Sequence, residues 1–234
     1  MTSPLIGTLS ESSLHADIKT WVAQPGDQLE TAVAGFVIDV VHGDTLIEIQ
    51  TRHLYAMKRK LKKLLPDYSI RLLHPIPQKK WIVRETASGK PISRRKSPKQ
   101  GRFQDIFAEL VRIPHLFAHP NLTLQVLLTH EEEIWRDDGQ GSWRRKGWSI
   151  IDRHLLQVAA VTELKSAFDL LALLPADLPR PFSNSDIAQK LTGSKRARTR
   201  LAQQMTYTLR QLGAIEVVGK SGNSHLHEIM RADE

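Results

Sequence analysis

Apolar and polar positions alternate most regularly between Phe36 and Gln50, where two β-branched runs are divided by His42-Gly43-Asp44. Alternation at a period of two, broken by a two-residue Gly43-Asp44 turn, predicts a β-hairpin. Counting outward from the turn pairs His42 with Thr45 and Asp39 with Glu48. Phe36, Ile38, Val40, Ile47 and Ile49 then share one face, and Val37, Asp39, Val41, Leu46, Glu48 and Gln50 share the other. The first is expected to be core, and the second carries two carboxylates.

Helical spacing takes over on both sides of the hairpin. Leu14, Ile18, Trp21 and Val22 predict a helix over Ser10 to Ala23, ended by Pro25-Gly26-Asp27, and Leu54, Met57, Leu61, Leu64 and Leu65 predict another over Arg52 to Leu65. Strands are expected at Thr31 to Val33, Ser69 to Pro75, Lys80 to Glu85 and Leu122 to Thr129, with a helix at Phe103 to Val111. The stretch from Ser88 to Arg102 is rich in Ser, Gly, Pro, Lys and Arg and reads as a basic loop. Glu131-Glu132-Glu133 only superficially suggests a metal site, because consecutive acids alternate faces along a strand and most are expected in solvent. Trp135, Trp143 and Trp148 interleave with Arg144, Arg145 and Lys146, as either a stacking surface or a packed hairpin.

A domain boundary is expected near Val158 to Thr162, giving units over 1–157 and 158–234. Beyond it come a helix at Glu163 to Leu174, a proline-rich connection, cap chemistry at Ser183-Asn184-Ser185-Asp186, a short helix to Leu191 and a longer one from Lys195 to Leu212. Gly213 ends that helix, and strands at Ala214 to Val218 and Ser224 to Ile229 enclose Gly219 to Asn223.

The chain has 234 residues and a formal net charge of +8, which favours a polyanionic partner, nucleic acid first. It has no cysteine, so disulfides, thiolate metal sites and a cysteine nucleophile are excluded. Neither a signal-peptide pattern nor a membrane-length apolar run is evident, so a soluble, cytoplasmic protein without a membrane partner is expected.

Like charges directly opposed across a hairpin are destabilising, and a divalent cation between Asp39 and Glu48 is one compensation; two solvated acids on an open face are the other. An acid on one strand, then a tight turn, then Glu48-Ile49-Gln50 and a helix, resembles the PD-(D/E)XK nuclease-like superfamily. The resemblance implies an α/β fold, a restriction-endonuclease-like mixed sheet flanked by helices. It also implies Mg²⁺ or Mn²⁺ held by Asp39, Glu48 and the Ile49 carbonyl, with water attacking a DNA phosphodiester.

Gln50 stands where that family usually has lysine, and glutamine cannot neutralise charge developing on phosphate. Lys58 is the candidate for a displaced lysine. The family often places a further acid on its first helix: Glu11 by position, which is also explained as an acid complementing the dipole of a first helical turn, with Glu30 as the weaker alternative. His15, one turn beyond Glu11, reads as surface or packing.

Arg59 and Lys62 on the second helix, with Arg94, Arg95 and Lys96 in the basic loop, are candidate phosphate contacts. The C-terminal order of helix, helix, turn, helix and Gly-rich hairpin resembles a winged helix. That implies a recognition helix presenting Lys195, Arg196, Arg198 and Arg200 to DNA, with Lys220 in the wing. A protein-contact role is the alternative. The expected activity is a metal-dependent endonuclease on duplex or branched DNA, and a homodimer is left open. The alternative is a non-catalytic DNA-binding or regulatory protein on a degenerate nuclease-like fold, which Gln50 supports.

Overall fold

The computed structural model describes residues 12–230. Helix α1 (Ser13–Val22) is followed by the antiparallel strands β1 (Gln28–Val33), β2 (Phe36–His42) and β3 (Thr45–Ile49). A 3-10 turn at Leu54–Met57 leads into helix α2 (Lys58–Leu64), and then come β4 (Ser69–Glu85) and β5 (Pro91–Lys96). Short helices α3 (Phe107–Leu110) and α4 (Pro114–Phe117) precede β6 (Leu122–Arg136) and β7 (Ser149–Leu164). The seven strands form one mixed sheet in the order β1-β2-β3-β4-β6-β7, with β5 on the outer part of β4. The α/β class and the helix-flanked mixed sheet agree with the sequence expectation.

Helices cover both faces, so the hairpin has two cores where one was expected. Leu14 and Ile18 of α1 pack on Val40, Ile47, Ile49, Leu73 and Leu127. Ile38 and Leu46 belong to the other core, with Leu61 and Leu64 of α2. The turn register holds, with His42 opposite Thr45, but the β2–β3 ladder stops at Val40 and Ile47. There the Asp39 carboxylate accepts the Ile49 N–H at 2.7 Å in place of a backbone carbonyl. Across from Asp39 on β1, Glu30 takes a left-handed φ of 49°. Alternation breaks at this point, and Ile38 and Val40 enter different cores.

β4 runs unbroken through Pro75 and Pro77. Leu73 turns its carbonyl toward β3, accepting the Gln50 N–H at 2.9 Å. Pro75 and Pro77, two and four residues later, face the same way, into the interval after β3 ends and before β5 starts pairing at Trp81. A missing N–H there forfeits no ladder bond. The chain returning from β5 closes the interval: Ser97 N–H donates to Lys80 O and Gly101 N–H to Pro77 O. A β-carbon on Gly101 would lie 2.5 Å from Ile76 Cγ2 and 2.7 Å from Pro77 O, so the approach requires glycine.

The basic loop and the domain boundary need correction. Arg94, Arg95 and Lys96 lie on β5, an exposed antiparallel edge strand, where a loop was expected. The boundary at 157/158 falls inside β7, which pairs with β6 up to Leu164. Helix α5 (Ala167–Leu171) starts only where Ser166 caps it, its hydroxyl accepting the Asp169 N–H.

The remaining elements are β8 (Phe182–Ser183), α6 (Asn184–Lys190), α7 (Lys195–Gln211), β9 (Ile215–Ser221) and β10 (Ser224–Ile229). The three strands form a sheet in the order β8-β10-β9. Leu201, Ala202, Met205 and Leu209 of α7 share one apolar core with Phe107, Ile113 and Phe117, so this part is packed onto the larger sheet.

The glutamate run is not solvated. Glu131 is 0% exposed, accepting from Thr129 Oγ1 at 2.6 Å and from Arg153 Nη2 at 3.0 Å. Glu133 is held by Lys80 Nζ at 2.8 Å and Trp135 Nε1 at 2.7 Å. Only Glu132 points to the other side, toward Arg94. Removing one partner of a buried pair leaves an uncompensated charge. Arg153→Ala should therefore cost about 3–5 kcal/mol in urea unfolding, and adding Glu131→Gln should recover much of it. A loss under about 1 kcal/mol for the single variant would contradict the account.

Candidate functional site

Asp39 and Glu48 meet where the β2–β3 ladder opens. From one side α1 brings His15, whose Nε2 lies 3.1 Å from Asp39 Oδ1. From the other, α2 brings Lys60, whose Nζ touches Glu48 Oε1 and donates to the Val37 carbonyl at 2.5 Å. Two helices on opposite faces thus reach one opening in the sheet.

The two acids differ electrostatically. Burial works against ionisation of Asp39, but the hydrogen bond and charge of His15, the Ile49 N–H and the Lys60 charge together hold its carboxyl below the usual range. Glu48 is only 3% exposed, and burial, reinforced by Asp39, pushes it up to about 7 despite Lys60. Near neutral pH the pair carries between one and two negative charges.

No group of three or more His, Asp or Glu side chains suited to a metal ion occurs among the described residues. A cation here would be held by Asp39, Glu48 and backbone, with water completing the shell. The Ile49 carbonyl leaves its strand on the edge that also carries the N–H bonded to Asp39, so it is placed as a third oxygen. Glu48 Oε1 is enclosed and is paired with the Lys60 ammonium. Carboxylate and carbonyl oxygens are the donor type that hard divalent cations take.

Other expected site residues fall in different places. Gln50 has its carbonyl 2.7 Å from Nδ1 of the buried His74, which fixes its backbone beside Glu48. Lys58 is exposed at the start of α2, and it is Lys60 that meets Glu48. Because a 3-10 turn precedes α2, the helix begins eight residues after Gln50, and its N-terminus does not follow directly on the acids. Glu11 lies outside the described residues. Glu30 pairs with Lys19 at 2.8 Å.

Arg59 and Lys62 border a shallow hollow at the β1–β2 turn. Tyr55 is exposed, with Arg112 stacked 4.7 Å above its ring. The three tryptophans do not form one surface: Trp135 bonds Glu133, Arg84 lies over Trp148, and Trp143 is exposed.

The four basic residues early in α7 divide. Lys195 and Arg198 border a groove toward α6 and the β9–β10 turn, and Arg196 and Arg200 border a cleft facing β4, while Lys195 also shares an open hollow with Arg196 and Arg200. Lys220 is exposed near the end of β9. Sequence reasoning missed Lys60 and undervalued His15. Helical spacing held a weak signal for His15, which follows Leu14 one residue on in the apolar stripe.

Residues 12–165 match the family described as Domain of unknown function (DUF8091). The chain belongs to this family. The matched segment ends one residue past β7, so the DUF8091 part contains the whole seven-stranded sheet and the acid pair, while α5 to β10 follow it. A Treponema pallidum (strain Nichols) protein described as uncharacterized is 36% identical over 189 residues, covering 80% of this chain and 75% of its own length. No solved structure matches the chain.

The Glu48 environment fixes a sign for pH dependence. A glutamate at about 7 when folded and near 4.5 when unfolded keeps its proton longer in the folded state. Its contribution to stability is full below pH 4.5 and is lost as pH rises through 7. Glu48→Gln should flatten this fall, and the stability difference between wild type and variant should change by about 2–4 kcal/mol from pH 4.5 to 8. Parallel curves across that range would refute the assigned environment.

Proposed function

We propose that this DUF8091 protein is a metal-dependent deoxyribonuclease that hydrolyses phosphodiester bonds at the Asp39–Glu48 pair. The observation that carries the reading is the convergence of both carboxylates, the Ile49 backbone and the Lys60 ammonium at the opening of the β2–β3 ladder. The order α1, β1 to β3, α2, β4 is the helix, strands, helix, strand succession of a PD-(D/E)XK-like core and supports the same reading. So does the α6–α7–hairpin order with its β8-β10-β9 sheet, which resembles a winged helix.

The chain's own groups have distinct tasks. His15 and the Ile49 N–H hold Asp39 ionised and oriented. Glu48 releases its proton near neutrality and becomes the second carboxylate. Gln50, positioned through His74, can orient water but brings no charge. Lys60, anchored on the Val37 carbonyl, brings the positive charge that Gln50 lacks beside the phosphoryl oxygens. A bound Mg²⁺ or Mn²⁺ supplies Lewis-acid polarisation of the phosphate and lowers the pKa of water. The reading accommodates Gln50 by moving the cation from the strand to α2.

Labelled single-stranded, duplex and branched DNA, incubated with Mg²⁺ or Mn²⁺, tests this directly. Cleavage is expected to rise with pH through about 7, as Glu48 ionises. Asp39→Asn, Glu48→Gln and Lys60→Met should each lower the rate by about 100-fold or more with DNA binding retained. Lys58→Met should have little effect. A folded wild-type protein that cuts none of these substrates, and whose stability does not respond to either metal, would sink the nuclease reading and favour the non-catalytic DNA-binding alternative.

A further inference from the structure

A cleft of about 610 Å³ lies between the proline-containing part of β4, the chain returning from β5 and the N-terminal half of α7. Its floor is apolar, with Ile76, Pro77 and Leu201, and its walls carry Lys99, Arg102, Arg196 and Arg200. Among the described residues no acid pairs with Lys99, Arg196 or Arg200, and all three are exposed. Asp105, the acid on the wall, is engaged by Arg102 at 3.1 Å.

Arg102 also ties the two walls together. Its Nη1 donates to the Thr192 carbonyl and hydroxyl at 3.2 and 3.0 Å, just ahead of α7. Its Nε is enclosed without a partner. The Gly101 N–H on Pro77 O fixes the neighbouring backbone. The cleft is therefore preformed, and the separation of its cations is set by the fold.

We propose that this cleft binds a single-stranded segment of DNA, so that the substrate is a duplex carrying a single-stranded end or branch. The proposal deepens the nuclease reading, from which it takes DNA as the polymer. A basic groove over apolar surface follows the backbone of one strand while sugars and bases pack below. A recess between a sheet and a helix excludes a duplex, which instead receives protruding elements in its grooves. Lys195 and Arg198, which border the separate groove toward α6, are left for duplex contact.

The cleft is in register with the acids. Leu72 lies opposite Glu48, and Pro77 is five residues further along β4, about 17 Å at about 3.3 Å per residue. One oligonucleotide strand spans that distance.

Fluorescence anisotropy without divalent metal, on labelled single-stranded, blunt duplex and overhang-bearing DNA, tests the assignment. Lys99→Glu with Arg200→Glu should weaken single-strand and overhang binding more than 10-fold and blunt-duplex binding less than 3-fold. The slope of log affinity against log salt should fall by about 0.7 for each strand contact removed. Lys195→Glu with Arg198→Glu should show the reverse preference. Ala197→Trp, which fills the cleft without changing charge, should also weaken overhang binding selectively. Thermal unfolding checks that each variant is folded.

Equal losses on blunt and overhang DNA, or a folded Ala197→Trp variant that binds overhangs as wild type does, would overturn the proposal. Because the assay reads binding, absent cleavage would count against the nuclease reading while leaving the cleft assignment intact.

Discussion

The parallel pairing of β4 with β6, from Ile70 beside Leu122 to Glu85 beside Arg136, is the constraint on which the rest of this fold depends. Every other strand of the large sheet is placed by it, directly or through a neighbour. β3 joins the near end of β4, β5 joins the far end, and β7 follows β6 along its length. The two central strands outrun β3 and β5, so β4 has a free edge in between. Pro75 and Pro77 occupy that edge because their missing N–H groups face no partner. The same edge lets the chain return at Gly101 and carry Arg102 to α7. The site and the cleft are both consequences of strands ending early against a longer one.

The site is a second interruption of the same kind. Where β2 and β3 part, backbone groups need new partners, and the Asp39 carboxylate answers one of them by taking the Ile49 N–H. Together with the hydrogen bond and charge of His15, that bond keeps an ionised acid in a largely buried position. Glu48 has no comparable donor from the backbone and relies on Lys60, so burial dominates and the proton is held to about 7. Two acids one strand apart thus take different protonation states from their hydrogen bonds rather than from their type. On the proposed reading this suits a site that must admit a cation without being permanently overcharged.

Much of this was legible in the sequence. The Gly43-Asp44 turn set the register from His42 and Thr45 to Val40 and Ile47, but the ladder ends there, so counting does not extend to Asp39 and Glu48. Helices α1 and α7 were readable from apolar spacing and from their terminators, Pro25 and Gly213. The length of β4 was not, because proline rules describe a strand paired on both edges, and the free edge depends on where β3 and β5 stop. Glu131 and Glu133 were misjudged because burial was inferred from charge; their partners Arg153 and Lys80 are distant in sequence. Lys60 was hidden among neighbouring cations of α2. Its role depends on the helix starting at Lys58 after a 3-10 turn, a shift that composition does not signal.

The division of α7 connects the two parts of the chain. A helix with Lys195, Arg196, Arg198 and Arg200 within six positions cannot direct all four to one side, since adjacent residues are turned about 100° apart. Arg196 and Arg200, four residues apart, share a flank, and packing of Leu201 and Met205 against the α3–α4 layer turns that flank toward β4. Had α7 been joined to the sheet only by a tether, its charges would have formed a separate surface with no fixed distance to the acids. A shared core makes that distance a property of the fold. The C-terminal part therefore does more than add affinity: on the proposed reading, it orients a bound strand relative to Asp39 and Glu48.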